Sequence, residues 1–153
     1  MAQIKSIQFH IQTGNLAGAG TDGDVYLGIG GREFSVDSKK DDFERGAARV
    51  YVLGEGADIQ NAEFNDPRNP QLFTERVATF PVYVRFQPRS RGDNWQLQRA
   101  DVRFNDSIHI DWDTVSLVAN DPQKGIWLGV RSGLVVHLGN FSHEGGLGQT
   151  VAQ

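Results

Sequence analysis

The stretch GAGTDGDVYLGIGG, residues 18–31, joins a glycine-rich acidic turn to a segment that alternates apolar residues with polar or small ones. Such alternation is the period-2 pattern of a half-buried β-strand. The turn also contains G-x-G-x-x-G, the spelling of a dinucleotide-binding loop, which requires a helix after it to hold the pyrophosphate. Because a strand follows, and because Asp22 and Asp24 would repel an anion, we reject the nucleotide interpretation.

Alternating segments recur along most of the chain. The clearest is TFPVYVRF, in which we expect Phe80, Val82, Val84 and Phe86 to face the core. Val50 and Val52 mark another strand, and WQLQRADVRF changes phase in a way that predicts a bulge near 98–100. No window of a dozen residues carries the apolar stripe of a helix. The pattern therefore predicts an all-β protein, either a sandwich or a barrel.

Composition excludes several classes of function. The 153 residues suit one domain, and the absence of cysteine rules out disulfides and thiolate metal sites. A net charge of −4 argues against nonspecific nucleic-acid binding, so no nucleic-acid partner is expected. We see no transmembrane segment, since no apolar run approaches about 18 residues. We also see no signal peptide, so a cytoplasmic location is expected, with association at a membrane surface as the further option.

A second acidic loop, DDFERG at residues 41–46, supplies Asp41, Asp42 and Glu44. A hard cation such as calcium prefers six to eight oxygen ligands from carboxylates, carbonyls and water. Glycine-rich backbone can turn its carbonyls toward an ion without steric penalty. Neither loop matches the contiguous EF-hand pattern, so a calcium cage would have to form by tertiary contact. The alternative is that the acids of each loop bond local backbone, as turn residues commonly do.

Four blocks of the chain together resemble the PLAT domain, also called the lipoxygenase homology domain. They are Thr13-Gly14, AGTDGDVY at 19–26, DFERG at 42–46, and WQLQRADV at 95–102, and they occur in the family's order. The resemblance covers residues 4–105 well. It implies an antiparallel β-sandwich of about eight strands in two sheets, which we place at residues 1–141, followed by a flexible glycine-rich tail at 142–153.

The resemblance also implies a function. Family members bind calcium between loops at one end of the sandwich, and that end docks on membrane lipid or on a protein partner. Gly23 stands where many members carry another acid, and Leu16 is the one apolar residue of the first loop that we expect to contact a membrane or partner. Carried over residue by residue, the calcium ligands are Gly18 and Gly20 through their carbonyls, Thr21, Asp22, Asp41, Asp42 and Glu44.

We expect a binding module and not an enzyme. The chain is too short to hold the catalytic domain that accompanies this module in lipoxygenases and lipases, and no catalytic triad can be proposed from it. Two alternatives stay open. One is a protein-interaction or structural module that does not use calcium. The other is a carbohydrate-binding sandwich, which would require Trp95, Trp112 and Trp127 to line an exposed face.

Overall fold

A computed structural model describes residues 2–105, 108–113, 125–138 and 140–141, with backbone alone for 108–113 and 140–141. Apart from two short 3₁₀ turns, Ala62–Phe64 and Thr74–Arg76, its regular structure is entirely β. The strands in chain order are β1 Ser6–Thr13, β2 Asp24–Ile29, β3 Arg32–Val36, β4 Ala48–Gly54, β5 Tyr83–Gln87, β6 Trp95–Phe104, β7 Ile108–Asp113, β8 Ile126–Leu128, β9 Val135–His137 and β10 Asn140–Phe141.

Two antiparallel sheets pack face to face. The larger has the order β10-β7-β6-β1-β4, with β8 pairing the first residues of β6, and the smaller has the order β3-β2-β5-β9. This confirms the predicted all-β antiparallel sandwich. The predicted tail at 142–153 lies outside the described residues. None of the helical turns described is long or apolar enough to cross a membrane.

The core lies between the sheets and is centred on Trp95, which is fully buried. Its indole Nε1 donates to Thr13 Oγ1 at 2.9 Å, and its ring lies 5.6 Å from those of both Phe43 and Phe86. Phe43 belongs to the DDFERG loop and has φ 61°, a left-handed conformation that is uncommon for a bulky residue. Burial of its ring therefore holds this acidic loop against the sandwich.

Three local predictions can be compared with the strands. The phase change in β6 is confirmed as a bulge, because Gln12 pairs with Arg99 while Thr13 pairs with Leu97. The strand at Val50 is present as β4. Val50 itself, however, is 52% exposed, while Tyr51 and Leu53 of the same strand face the core.

Phe80 was expected inside and is 39% exposed. The prediction is wrong because β5 begins only at Tyr83, so Phe80 precedes the strand that would have directed it inward. Its ring instead lies 4.7 Å from the guanidinium carbon of Arg76. Val82, Val84 and Phe86 are buried as predicted.

Four connections meet at one end of the sandwich. The antiparallel register brings the end of β1 beside Ala47, Asp24 beside Gln87, and Trp95 beside Leu128. We call this the loop end. It consists of residues 14–23, 37–47, 88–94 and 129–134, which follow β1, β3, β5 and β8 respectively. The 54–75 connection contains the 3₁₀ turn Ala62–Phe64.

Candidate functional site

Close backbone contacts join the first two loops of the loop end. Thr21 N donates to Phe43 O at 3.0 Å, and Gly46 N donates to Gly14 O at 2.9 Å. A Cβ atom at Gly20 would lie 2.7 Å from Arg45 N, closer than real Cβ contacts allow. Glycine at this position is therefore required for the two loops to approach, and their approach brings their acids together.

Three of the predicted ligands meet at this junction. Carboxylate oxygens of Asp22, Asp41 and Glu44 lie within 4.8 Å of one another, and all three residues are exposed. The pKa of Glu44 is raised, by partial loss of water contact and by the negative charges of Asp41 and Asp22. Oxygens that bind calcium at about 2.3–2.6 Å can stand up to about 5 Å apart across the ion. The donor type and spacing of this acidic cluster therefore fit a hard divalent cation.

Asp42 is not part of the acidic cluster. Its carboxylate is buried and accepts hydrogen bonds from Ser38 N and Ser38 Oγ, Arg49 Nη1 and Tyr51 Oη, at 2.7–2.9 Å. Burial acts to raise the pKa of Asp42, but the hydrogen bonds from Ser38 and Tyr51 lower it, and the pKa is lowered overall. The side chain thus braces the base of the second loop against β4.

The other predicted contacts divide between the cluster and its surroundings. Gly20 and Thr21 line a surface cavity of about 450 Å³ together with Asp22 and Glu44. Thr21 is buried, and its hydroxyl donates to Asp93. Gly18 is exposed with φ 79° and does not line the cavity, and Leu16 is half-buried.

Asp93, in the loop between β5 and β6, lines the same cavity and was not predicted from the sequence. It accepts hydrogen bonds from Thr21 Oγ1 at 2.7 Å and from Arg89 N at 2.8 Å. A Cβ atom at Gly23 would lie 3.0 Å from Asp93 Oδ2 and 2.6 Å from Gln87 O. The carboxylate of Asp93 therefore lies beside the position where the family often has a further acid. The 72-residue separation from Thr21 left no local signal for this contact.

An apolar turn between β8 and β9 was also not anticipated. Val130 and Leu134 of this turn, and Val135 at the start of β9, are each 38–45% exposed, and Arg131 is exposed between Val130 and Leu134. The turn is held at the loop end, because Phe86 N donates to Leu134 O at 2.8 Å. Arg89 and Arg91 are exposed in the neighbouring 88–94 loop. The loop end therefore combines the acidic cluster, arginines and exposed aliphatic side chains.

The tryptophans give limited support to the alternative of a carbohydrate-binding sandwich, which requires them to line an exposed face. Trp95 is fully buried and cannot contact a ligand. Trp127 is 40% exposed. The side chain of Trp112 lies outside the described residues.

Comparison with solved structures shows the fold. The chain aligns with the alpha toxin of Clostridium absonum at TM-score 0.55 and 19% identity, over 89% of this chain and 31% of the toxin. The alpha-toxin of Clostridium perfringens from an avian strain gives TM-score 0.59 at the same identity and coverage. Coral 8R-lipoxygenase, described with calcium activation via a C2-like domain, gives 0.52 at 15% identity, over 87% of this chain and 16% of the enzyme.

The fold is of the PLAT type. The resemblance predicted from the sequence is thus confirmed at the level of the fold. No family model matches the sequence, and no curated protein matches it. The chain spans less than a third of the length of the toxins and less than a fifth of the lipoxygenase, so their activities belong to much longer proteins.

Proposed function

We propose that this PLAT-type sandwich is a non-catalytic calcium-binding module, and that its loop end docks on a membrane surface or on a protein partner. The observation that carries the proposal is the convergence of Asp22, Asp41 and Glu44. Two separate loops supply these carboxylates. A cation between them would cancel their mutual repulsion and hold the loops in one arrangement.

The surroundings of the cluster support a role for calcium. Gly20 lines the surface cavity of about 450 Å³ together with Asp22 and Glu44, and its backbone can approach a ligand there without a side chain in the way. Coral 8R-lipoxygenase, described with calcium activation via a C2-like domain, shares the fold. Since the ligands are exposed and water would complete the shell, we expect a dissociation constant on the order of 10⁻⁵ to 10⁻³ M.

The apolar turn supports docking at the same end. Exposed aliphatic side chains at Val130, Leu134 and Val135 can enter the headgroup region of a bilayer. The arginines at 89, 91 and 131 would face anionic phosphates around them. Calcium bound at the acidic cluster would remove the negative charge that otherwise repels such a surface.

Calorimetric titration with calcium chloride tests the metal site. We expect one saturable binding event for the wild-type chain and none for an Asp22→Asn, Asp41→Asn double variant. Glu63→Gln is the matched control, because Glu63 is an exposed acid outside the loop end, and it should bind calcium normally. No binding heat and no thermal shift for the wild type at millimolar calcium would contradict the proposal.

Co-sedimentation with phosphatidylcholine–phosphatidylserine vesicles tests the docking step. We expect binding in calcium and loss of binding in EDTA. A Val130→Ser, Leu134→Ser double variant should lose vesicle binding and retain calcium binding. The control is Phe64→Ser, which removes an exposed aromatic outside the loop end. Calcium binding without vesicle binding would point to a protein partner. The absence of both calcium binding and vesicle binding would favour a calcium-independent interaction module.

A further inference from the structure

A second surface runs along the outer edge of β4, and its loop residue Lys40 also lies beside Asp22 and Asp41 of the acidic cluster. We propose that this edge and the basic groove beside it bind an extended acidic peptide, which adds to the larger sheet as a short extra strand. The proposed peptide binding does not require calcium.

The outer edge of β4 offers backbone groups that are not paired with any described strand. In an antiparallel strand the N–H and C=O of one residue point to the same side, and successive residues alternate between the two sides. Thr13 N donates to Ala47 O toward β1, whereas the N–H and C=O of Val52 bond Asp58 on the other side. Ala48 and Val50 lie four and two residues before Val52, so their N–H and C=O groups point to the same outer side as those of Val52. Among the described strands, none pairs with this side of β4.

A groove runs beside these groups. It has a volume of about 760 Å³, within the range of ordinary ligand sites, and its walls are Ala48–Tyr51 of β4, Ser38–Lys40 and Ala57–Gln60. Asp58 closes it at the Val52 end by bonding the backbone there. The free edge is therefore about as long as the four residues of β4 that line the groove, which suits a short strand.

The charge of the groove selects the occupant. Its charged lining residues are Lys39, Lys40, Arg49 and Asp58, a net charge of two positive units on a chain whose total is −4. Lys39 and Lys40 are exposed, whereas Arg49 is already paired with Asp42 at 2.7 Å. Two copies of this edge would bring like charges together, so the charge disfavours pairing with a second copy of the chain.

The pleat of β4 sets the sequence pattern of the peptide. Side chains of an added strand alternate between two faces. One face would lie next to Val50, which is exposed and apolar, and the other next to the two lysines. The preferred peptide therefore alternates apolar or β-branched residues with aspartate or glutamate. Main-chain hydrogen bonds to Ala48 and Val50 would supply the general affinity, as in other strand-addition complexes.

Selection from a displayed library of random octapeptides tests the proposal, with the folded chain immobilised in EDTA so that calcium binding has no influence. We expect enrichment of alternating acidic and apolar sequences. A synthetic copy of an enriched peptide should shift the amide resonances of Ala48 and Val50 and slow their hydrogen exchange.

Charge reversal separates a binding role from a structural one. The Lys39→Glu, Lys40→Glu double variant should bind the acidic peptide at least tenfold more weakly. It should instead bind a version of the peptide in which lysines replace the acidic residues. Lys5→Glu, Arg91→Glu changes the same amount of charge elsewhere and should leave binding unchanged. Three results would overturn the proposal: no enrichment, binding that ignores the charge reversal, or a solution dimer in which the Ala48 and Val50 amides are protected.

Discussion

Asp41 and Asp42 are neighbours in the sequence, yet the fold assigns them to different surroundings. Asp42 is buried beneath the second loop, where Ser38, Arg49 and Tyr51 bond its carboxylate. Asp41 is exposed one residue earlier and approaches Asp22 of the other loop. One carboxylate holds the loop in place, while its neighbour remains available to a ligand.

The backbone around Phe43 accounts for this divergence. Phe43 is buried against Trp95 and has the left-handed φ of 61°, which turns the chain sharply after Asp42. Asp42 therefore lies on the core side of the turn, and Asp41 and Glu44 lie on the solvent side. Among the loop acids, Asp42 and Asp93 thus brace the loops, whereas Asp22, Asp41 and Glu44 form the exposed cluster.

The largest effect is expected from removing the brace. Asp42→Ala should lower the free energy of unfolding by about 2–4 kcal/mol, because it leaves the Arg49 charge and the Tyr51 hydroxyl without their acceptor. Urea denaturation in EDTA measures this.

Asp41→Ala is the matched control for the brace, since it removes the same group one residue away. We expect it to change stability by less than about 0.5 kcal/mol, as for other surface substitutions. Equal losses for the two variants would break the distinction between bracing and exposed acids.

An intermediate effect is expected at Gly23. Replacing it with aspartate, the type of residue that many PLAT domains carry there, should destabilise the chain by about 1–3 kcal/mol, because the new Cβ would meet Gln87 O, the Phe86 ring and Asp93. Thermal unfolding in EDTA measures the loss. If Gly23→Asp instead folds normally and binds calcium more tightly, then Asp93 does not occupy the place of that acid.

The smallest effect concerns pH. Glu44 can bind a cation only as a carboxylate, and its raised pKa means that it takes up a proton at a higher pH than an ordinary glutamate. Calcium affinity should therefore be full near pH 7 and should begin to fall, as the pH is lowered, at a higher pH than for a site with an ordinary glutamate. Glu44→Gln should show weaker binding with a flatter pH profile, measured by calorimetry. If calcium affinity depends on pH in the same way in the wild type and the variant, Glu44 does not bind the ion.

Much of the fold could be predicted from the sequence because strand alternation is a local signal. The bulge in β6 and the pairing of two acidic loops were also predictable, the first from a phase change and the second from the family's motifs. The side facing the core was harder to predict for β4. There Val50 and Tyr51 are both apolar enough for either face, and only pairing with β1 decides between them.

The sequence by itself determined an all-β chain with two acid-bearing loops and no cysteine chemistry. Only the tertiary structure decided which acids remain exposed, that Asp93 lies beside Gly23, and that an apolar turn lies at the same end. The physical reason is the sequence separation over which each interaction acts. Alternation and turn residues act over a few positions, whereas the Thr21–Asp93 hydrogen bond joins residues 72 apart and exists only once the two sheets have packed.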